Sequence, residues 1–173
     1  PKDDPKLPEL LKAKIPSVFI DLDISDQSAS YIISDNENGA RRAVRHLAEL
    51  GHKKIAIIEG EQITIPTQKR LAGYKAELKA QKLEIRDEWI IQGRFSVDGG
   101  YKAMKEILAL KEQPTAIFCM GDEIAVGAMQ LIKEVGLSVP EDFSIVGFDD
   151  IEISQYLNPA LTTIRQKKEE MGI

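Results

Sequence analysis

The sequence is poor in cysteine and has no long hydrophobic run. Cys119 is the single cysteine among 173 residues, so no disulfide can form within the chain. It lies in a short apolar stretch, where we expect a buried thiol that packs as a small hydrophobic residue. No apolar run approaches the roughly 18 residues that a membrane-spanning helix needs. These absences exclude a disulfide-stabilised scaffold and favour an ordinary globular chain.

The sequence also lacks an excess of positive charge. It contains 23 Lys and Arg against 28 Asp and Glu, which gives a formal net charge of -5. A nucleic-acid-binding surface needs clustered and unbalanced basic residues. If the protein acts on DNA, these residues are therefore not the ones that contact it.

Motifs of the common catalytic sites are missing as well. The sequence has no GxGxxG after a predicted strand, no GxxxxGK[ST] and no GxSxG. His46 and His52 lie near the end of a predicted helix, where a cation is favoured, and neither has a serine or cysteine nearby as a nucleophile. Two histidines without a cysteine partner also make a poor zinc site. We therefore expect no enzyme activity, no cofactor and no metal.

The most regular pattern runs from Gln113 to Asp150. An apolar strand, Thr115–Cys119, precedes a helix over Glu123–Val135, and a second apolar strand follows over Phe143–Phe148. Asp122 comes directly before the helix and is expected to cap its N-terminus. Because neither strand alternates with polar residues, both should be covered on two faces, which is typical of a parallel sheet.

The rest of the chain repeats this alternation. A short helix and strand are predicted at Leu7–Ala13 and Ser17–Asp21, and the residues LTTI near the C-terminus predict a last strand before a helical start. Between them, further helices and strands are predicted at Gly39–Leu50, Ile55–Gly60, Gln68–Gln81, Trp89–Ile91 and Val97–Leu110. Alternating helices and strands predict an α/β fold with doubly wound parallel sheets.

Several acids follow the predicted strands. Asp149 and Asp150 end the central unit, Asp21 and Asp23 follow the first strand, and Asp35 follows the β-forming residues YIIS. The carboxyl ends of parallel strands face the crevice where open sheets bind ligands. Asp149 is thus a candidate phosphoacceptor, metal ligand or hydrogen-bond acceptor for a polyol, or a simple loop cap. Phe95 is either a stacking face for a sugar or a core residue.

Five segments in this order resemble the LacI/GalR-type family of bacterial transcription regulators, which includes the lactose and purine repressors. They are IPSVFID, GHKKIAII, RLAGY, GLSVPEDFSIVGFDD and PALTTIRQ, and together with the residues around them they cover nearly the whole chain. The resemblance implies the effector-binding core: a periplasmic-binding-protein-like fold in which residues 1–35 are part of an N-terminal subdomain. Residues 36–164 are then the C-terminal subdomain, and residues 165–173 begin the return crossing.

The resemblance also implies a function. The core of such a cytoplasmic repressor binds a small effector, here a sugar or sugar phosphate ahead of a nucleoside, and controls a helix-turn-helix headpiece that lies outside this chain. A periplasmic sugar-binding protein of the same fold is the main alternative, although PALTTIRQ and GHKKIAII resemble the repressor branch. A phosphoacceptor domain that uses Asp149 with Mg²⁺ is the second alternative.

The residues carried over to the effector site are Asp149, Phe95, Asp21, Asp35, Thr64 and Arg94. Thr64 stands about where relatives often place an arginine that clamps the ligand, which disfavours a purine or an acidic effector. Arg94, beside Phe95, is the candidate to replace that cation. Gly121 stands where several sugar-responsive relatives have an asparagine.

Relatives of this family dimerise through the core. The resemblance places the interface on the helix over Glu123–Lys133 and on the segment around Tyr156 and Leu157. Ile124 and Met129 are the candidate contacts on the helix. Core packing within the chain would demand much the same apolar residues there.

Overall fold

The computed structural model describes residues 6–13, 15–21, 29–61 and 64–172. Its helices are α1 (Leu7–Lys12), α2 (Asn36–Glu49), α3 (Ile65–Ala80), α4 (Val97–Ala109), α5 (Asp122–Glu134) and α6 (Lys168–Met171). Its strands are β1 (Val18–Ile20), β2 (Ser30–Ile32), β3 (Ile55–Glu59), β4 (Ile90–Gln92), β5 (Ala116–Cys119), β6 (Ser144–Asp149) and β7 (Thr162–Arg165). Two short 3₁₀ helices lie at Asp87–Trp89 and Glu152–Tyr156.

The larger sheet has five parallel strands in the order β4-β3-β5-β6-β7. Helix α2 packs against α3, and α4 packs against α5. Every residue of β3 and β5 is buried, as expected for strands covered on both faces. The prediction of a doubly wound α/β fold is confirmed. The chain leaves β3 towards β4 on one side and then continues at β5 on the other, so the topological switch point lies between β3 and β5.

The core is built from the apolar runs that stand out in the sequence. Ile57, Phe118 and Met104 are fully buried, and Tyr74 is buried with its hydroxyl donating to the carbonyl oxygen of Ile55 at 2.7 Å. Cys119 is buried as predicted, and burial raises the pKa of its thiol well above the usual range. The thiol therefore remains protonated and packs as a hydrophobic side chain.

Two helices begin earlier than the sequence pattern predicts. Asp35 caps α2, because its carboxylate accepts from the backbone N–H of Asn38 at 3.2 Å. Thr64 caps α3 and accepts from the N–H of Thr67 at 3.3 Å. Both residues were predicted to line the effector site, which stays a prediction, and both satisfy backbone donors at a helix start.

The prediction that Asp122 caps α5 is wrong. Gly121 is the residue at the N-cap position, no side chain makes a capping bond there, and Asp122 is the first residue of the helix. The carboxylate of Asp122 accepts hydrogen bonds from residues that follow β6 and from β7. The carboxylate of Asp122 thus bonds to residues between 151 and 163 and does not cap the N-terminus of α5.

The smaller sheet consists of β1 and β2, which pair in parallel from Val18 opposite Ser30 to Ile20 opposite Ile32. It lies within residues 1–35, whereas the five-stranded sheet begins after them. The division into subdomains at residues 35 and 164 remains a prediction. Within the described ranges, no helix is both long and apolar enough to cross a membrane.

Candidate functional site

A buried arginine lies at the carboxyl ends of the central strands. Arg70, in the second turn of α3, has only 4% of its side chain exposed. Its Nε–H donates to Oδ1 of Asn36 at 2.8 Å, and its Nη1 donates to the carbonyl oxygen of Met120. Its Nη2 lies 3.4 Å from Oδ1 of Asp149. Arg70 therefore joins the start of α2 with the ends of β5 and β6.

Two aromatic rings flank the guanidinium of Arg70. Its central carbon lies 3.7 Å from the ring centroid of Phe148 and 5.8 Å from that of Phe95. Both distances fall within the range of cation–π attraction. Burial lowers the pKa of Arg70, while the carboxylates of Asp149 and Asp21 raise it. An arginine stays protonated in proteins, so the site holds a fixed positive charge.

Asp149 supplies the matching negative charge. Its side chain is 27% exposed, and it accepts from Arg70 and from the amide of Gln166. Burial raises the pKa of Asp149, whereas Arg70 and then Gln166 lower it. Asp149 also has a φ of 113°, and Asp150 has a φ of 50°. Such backbone is strained for residues other than glycine, and it turns the chain at the point where Asp149 meets the crevice.

The ring of Phe95 lies between two glycines at strand ends. A Cβ atom on Gly60 would lie 2.1 Å from the ring, and one on Gly121 would lie 3.1 Å from it. The Cβ atom on Gly121 would also lie 3.6 Å from Oδ2 of Asp149. The ring of Phe95 and the carboxylate of Asp149 therefore both lie next to Gly121. The structure brings together Asp149 and Phe95 from the predicted set, with Arg70 beside them.

Gln166 joins this site to the residues that follow the smaller sheet. Gln166 donates to Asp149 through Nε2 and accepts from the hydroxyl of Ser34 through Oε1 at 2.8 Å. Oδ1 of Asp21 accepts from the backbone N–H of Ser34 at 3.4 Å, and Asp21 has a φ of 54°. The negative charge of Asp21 also raises the pKa of Arg70, so the two side chains act on each other electrostatically. Asp23 lies outside the described residues.

Four predicted residues, Asp21 among them, form no hydrogen bond, ion pair or ring contact with Arg70 or Asp149 in the described part of the chain. Thr64 and Asp35 cap their helices, as described above. Arg94 is exposed and lines an open depression with Asp98 and Lys102. The cation that pairs with Asp149 is Arg70. Effector binding by these four residues stays a prediction.

Sequence reasoning missed Arg70, Asn36 and Gln166. A signal for Arg70 was present, because it precedes Tyr74 by one helical turn and lies on the same face as Tyr74 and Leu78. A cation on the apolar face of a helix indicates a buried partner. The sequence contains no comparable signal for Asn36 or Gln166.

The predicted dimer contacts differ in their exposure. Ile124 is fully buried in the core of the chain, so its side chain is not accessible to a partner subunit. Met129 and Leu157 are half-buried and pack against the same core. Tyr156 is 68% exposed, and Ile153 beside it is exposed as well. Because Ile124 is buried, it is excluded as a contact of the dimer interface. An interface at Tyr156 remains a prediction.

The described residues contain no group of three or more His, Cys, Asp or Glu side chains that could hold a metal ion. His52 bonds to Thr115 and Ser144 near the starts of β5 and β6, whereas Asp149 lies at the end of β6. The carboxylate of Asp150 accepts from Arg165. The chemistry that the crevice offers is therefore hydrogen bonding and stacking.

The chain is similar to known regulatory proteins over most of its length. The family model of the Periplasmic binding protein-like domain matches residues 44–173. The Ribose operon repressor of Haemophilus influenzae is 40% identical over 94% of this chain and 49% of its own length. The HTH-type transcriptional repressor PurR of Pectobacterium carotovorum is 41% identical over 97% of this chain and 50% of its own length. The chain thus spans about half the length of these curated relatives.

A solved structure gives the same result at the level of the fold. The LacI family transcriptional regulator from Enterococcus faecium, whose structure has bound ribose, superimposes with a TM-score of 0.87 and 33% identity. The match covers 96% of this chain and 62% of that one. The likeness therefore extends to the smaller sheet as well as to the larger.

Proposed function

The chain belongs to the LacI family of transcriptional regulators, as a periplasmic-binding-protein-like effector domain, and on this basis we propose that it binds a small polar effector beside Arg70, Asp149 and Phe95. A neutral sugar is the class that these side chains fit best. The domain would then control DNA binding by a helix-turn-helix headpiece outside this chain. Its place of action would be the cytoplasm.

The observation that carries the proposal is the Arg70–Asp149 pair at the topological switch point. A sugar hydroxyl both donates and accepts, so it can bond to the carboxylate and to a guanidinium N–H at once. The ring of Phe95 offers an apolar face for the C–H side of a pyranose or furanose. Because Asp149 already balances the charge of Arg70, a neutral polyol is favoured over a sugar phosphate.

The relatives differ in what their names say. One is a ribose operon repressor, one is named PurR, and one structure holds ribose. The lack of an arginine in the loop before Arg70 is a weaker argument against a purine or an acidic effector, since Arg70 itself supplies a cation. The sugar is nevertheless preferred, because Asn36 and Met120 already use two of the guanidinium donors and Asp149 holds its charge.

Coupling to the smaller sheet would follow from the contacts of Gln166. This side chain lies between Asp149 and Ser34, so an effector that binds beside Asp149 changes the surroundings of a residue that follows β2. Two arrangements of the sheets would then differ in affinity for the effector. A ligand shifts such an equilibrium only as far as it binds the two states unequally.

The intact repressor is proposed to act as a homodimer. The exposed side chains of Tyr156 and Ile153 support an interface at the 3₁₀ helix Glu152–Tyr156. Transport by a periplasmic sugar-binding protein is the less favoured alternative, because the relatives that match most of this chain are named repressors.

A thermal-shift and calorimetric screen of the full-length protein tests the proposal. The probes are D-ribose, cellobiose, D-glucuronate, ribose 5-phosphate and hypoxanthine, since a ligand that binds only the folded state raises the melting temperature. We expect a neutral sugar to give the largest rise and Asp149→Ala to abolish it while the fold is kept.

Asp150→Asn is the matched control, because Asp150 is the next acid in the same turn and bonds to the exposed Arg165, and asparagine tolerates its positive φ. It should bind the sugar as the wild type does. No rise in melting temperature with any probe would overturn the proposed effector class. A sugar bound equally well by Asp149→Ala would place the effector elsewhere.

A further inference from the structure

The carboxylate of Asp122 is fully buried and holds three parts of the chain together. Its Oδ2 accepts from the backbone N–H of Ile151 at 2.9 Å and from the hydroxyl of Ser154 at 2.8 Å. Its Oδ1 accepts from the hydroxyl of Thr163 on β7 at 2.5 Å. All three donors are neutral. A buried carboxylate is costly in free energy unless its oxygens are satisfied, and here both oxygens are.

Gly147 on β6 has no side chain and so leaves room for this carboxylate. A Cβ atom on Gly147 would lie 2.3 Å from Oδ1 of Asp122. Gly147 pairs with Thr163 in the sheet, so the carboxylate reaches β7 directly over the glycine. The arrangement therefore depends on Asp122, Gly147 and Thr163 together.

The segment that Asp122 anchors is the turn that presents Asp149. Asp149 and Asp150 both have positive φ values, and Ile151, the next residue, donates to Asp122. The backbone N–H of Asp150 also lies 3.4 Å from the hydroxyl of Thr163. Strained backbone of this kind persists only where surrounding contacts determine it. The contacts to Asp122 and Thr163 are two such contacts.

We propose that Asp122 and Thr163 are positioning residues of the effector site: they fix the turn Asp149–Ile151 so that the carboxylate of Asp149 faces Arg70. Neither residue needs to touch the effector. The inference rests on the proposed function only for the effect on ligand affinity, because the position of Asp149 can be measured without a ligand.

Thr163→Val is the decisive variant. It keeps the shape of the side chain and leaves Asp122 in place, but it removes the hydroxyl that donates to Asp122 and lies near Asp150. Thr163→Ser restores that hydroxyl and is the matched control. Ser154→Ala removes a second donor to Asp122 from a different element, so the test does not depend on one variant that folds poorly.

The first measurement is a ¹³C NMR titration of the Asp149 carboxyl in the ligand-free protein. Burial raises the pKa of Asp149, and the charged groups that act on it are Arg70, Asp122 and Lys168. If the turn loosens, Asp149 becomes hydrated, and its pKa should fall towards the ordinary value in Thr163→Val and Ser154→Ala. It should stay at the wild-type value in Thr163→Ser. Wild-type titration in both of the first two variants would overturn the proposal.

The second measurement is the affinity for D-ribose and for cellobiose by calorimetry. We expect Thr163→Val to bind at least tenfold more weakly than the wild type and Thr163→Ser to bind as the wild type does. If the wild type binds neither sugar, it is the proposed sugar effector that fails, and the NMR titration still decides the role of Asp122 and Thr163. Full affinity in a Thr163→Val variant with an altered Asp149 pKa would contradict the positioning role.

Discussion

Arg70 donates its Nε–H to the side-chain oxygen of Asn36 at 2.8 Å, and this bond joins α3 to the first residue of α2. Asn36 is buried, and its own amide donates to the carbonyl oxygen of Ser34 at 3.1 Å. The amide group is thus held in one orientation. It presents an acceptor to the guanidinium and directs the remaining N–H groups of Arg70 towards Met120 and Asp149.

Asn36→Ala should weaken both the fold and the site. The substitution leaves the Nε–H of Arg70 buried without its acceptor, which we expect to lower the free energy of unfolding by about 1–3 kcal/mol. Sugar affinity should fall as the guanidinium reorients. Urea denaturation and calorimetry check the two effects. Asn38→Ala, two residues further along α2 at an exposed position, should change neither.

Arg70→Lys tests whether the shape of the cation matters beyond its charge. A lysine ammonium is a compact charge and lacks the planar fork that lets Arg70 reach Asn36, Met120 and Asp149 together. We expect sugar affinity to fall at least tenfold and the melting temperature to drop.

Arg94→Lys is the control for this prediction, since Arg94 is exposed and lies outside the contacts of Arg70. It should leave the melting temperature as it is, and its sugar affinity tests the predicted effector contact of Arg94. Wild-type affinity in the Arg70→Lys variant would show that charge alone suffices at this position.

The fold was predictable because its strongest signals are local. Apolar runs such as Ile55–Glu59 and Ala116–Cys119 are buried on both faces, and helices α2, α4 and α5 carry regular apolar stripes. Helix starts were less predictable, because Asp35 and Thr64 could be read as ligand-binding side chains or as caps. The structure shows that both make capping bonds.

The site was predictable only where one residue carries its own signal. Asp149 follows an apolar strand, and Phe95 follows the polar start of a loop, so both stand out. The signal for Arg70 is weaker: it shares a helix face with Tyr74 and Leu78, but its partners Asn36 and Asp149 are 34 and 79 positions away in the sequence. The role of Asp122 was misjudged for the same reason, since its partners lie after β6.

Glu77 should make the stability of the domain depend on acidity. Its side chain is 1% exposed and bonds to Arg45 at 2.8 Å and to Arg41 at 3.0 Å, which ties α3 to α2. The hydrogen bonds from Arg45, Gln81 and Arg41 lower its pKa to about 2, although burial opposes the shift. Because the folded-state pKa lies below the unfolded value, the stabilisation is complete above about pH 4.5. It is lost as the pH falls towards 2.

Glu77→Gln should therefore lower the free energy of unfolding by about 1–3 kcal/mol at pH 7, as expected for hydrogen bonds to charged groups. The difference from the wild type should shrink between pH 4.5 and pH 2. Urea denaturation at a series of pH values measures it. Glu123→Gln, at an exposed position on α5, is the control and should show no such dependence. A constant difference across this range would contradict the assignment.

His52 should also make the stability of the domain depend on pH, in a higher pH range than Glu77 does. Its Nδ1 lies 2.9 Å from the hydroxyl of Thr115, and its Nε2 lies 2.9 Å from the hydroxyl of Ser144, so it joins the starts of β5 and β6. Burial lowers the pKa of His52 below its ordinary value. The neutral ring is therefore favoured in the folded state. Its contribution to stability is present above about pH 6.5 and is lost as the pH falls through the folded-state pKa.

His52→Ala should lower the free energy of unfolding by about 1–2 kcal/mol at pH 8, because two hydroxyl partners lose their hydrogen bonds. The melting-temperature difference from the wild type should narrow as the pH falls from 7.5 to 5. His46→Ala, at an exposed position in the last turn of α2, should leave that pH dependence unchanged. Sugar affinity at pH 8 should be the same in both variants, because His52 and Asp149 lie at opposite edges of the sheet. Loss of sugar binding in His52→Ala would mean that the starts of the strands influence the crevice.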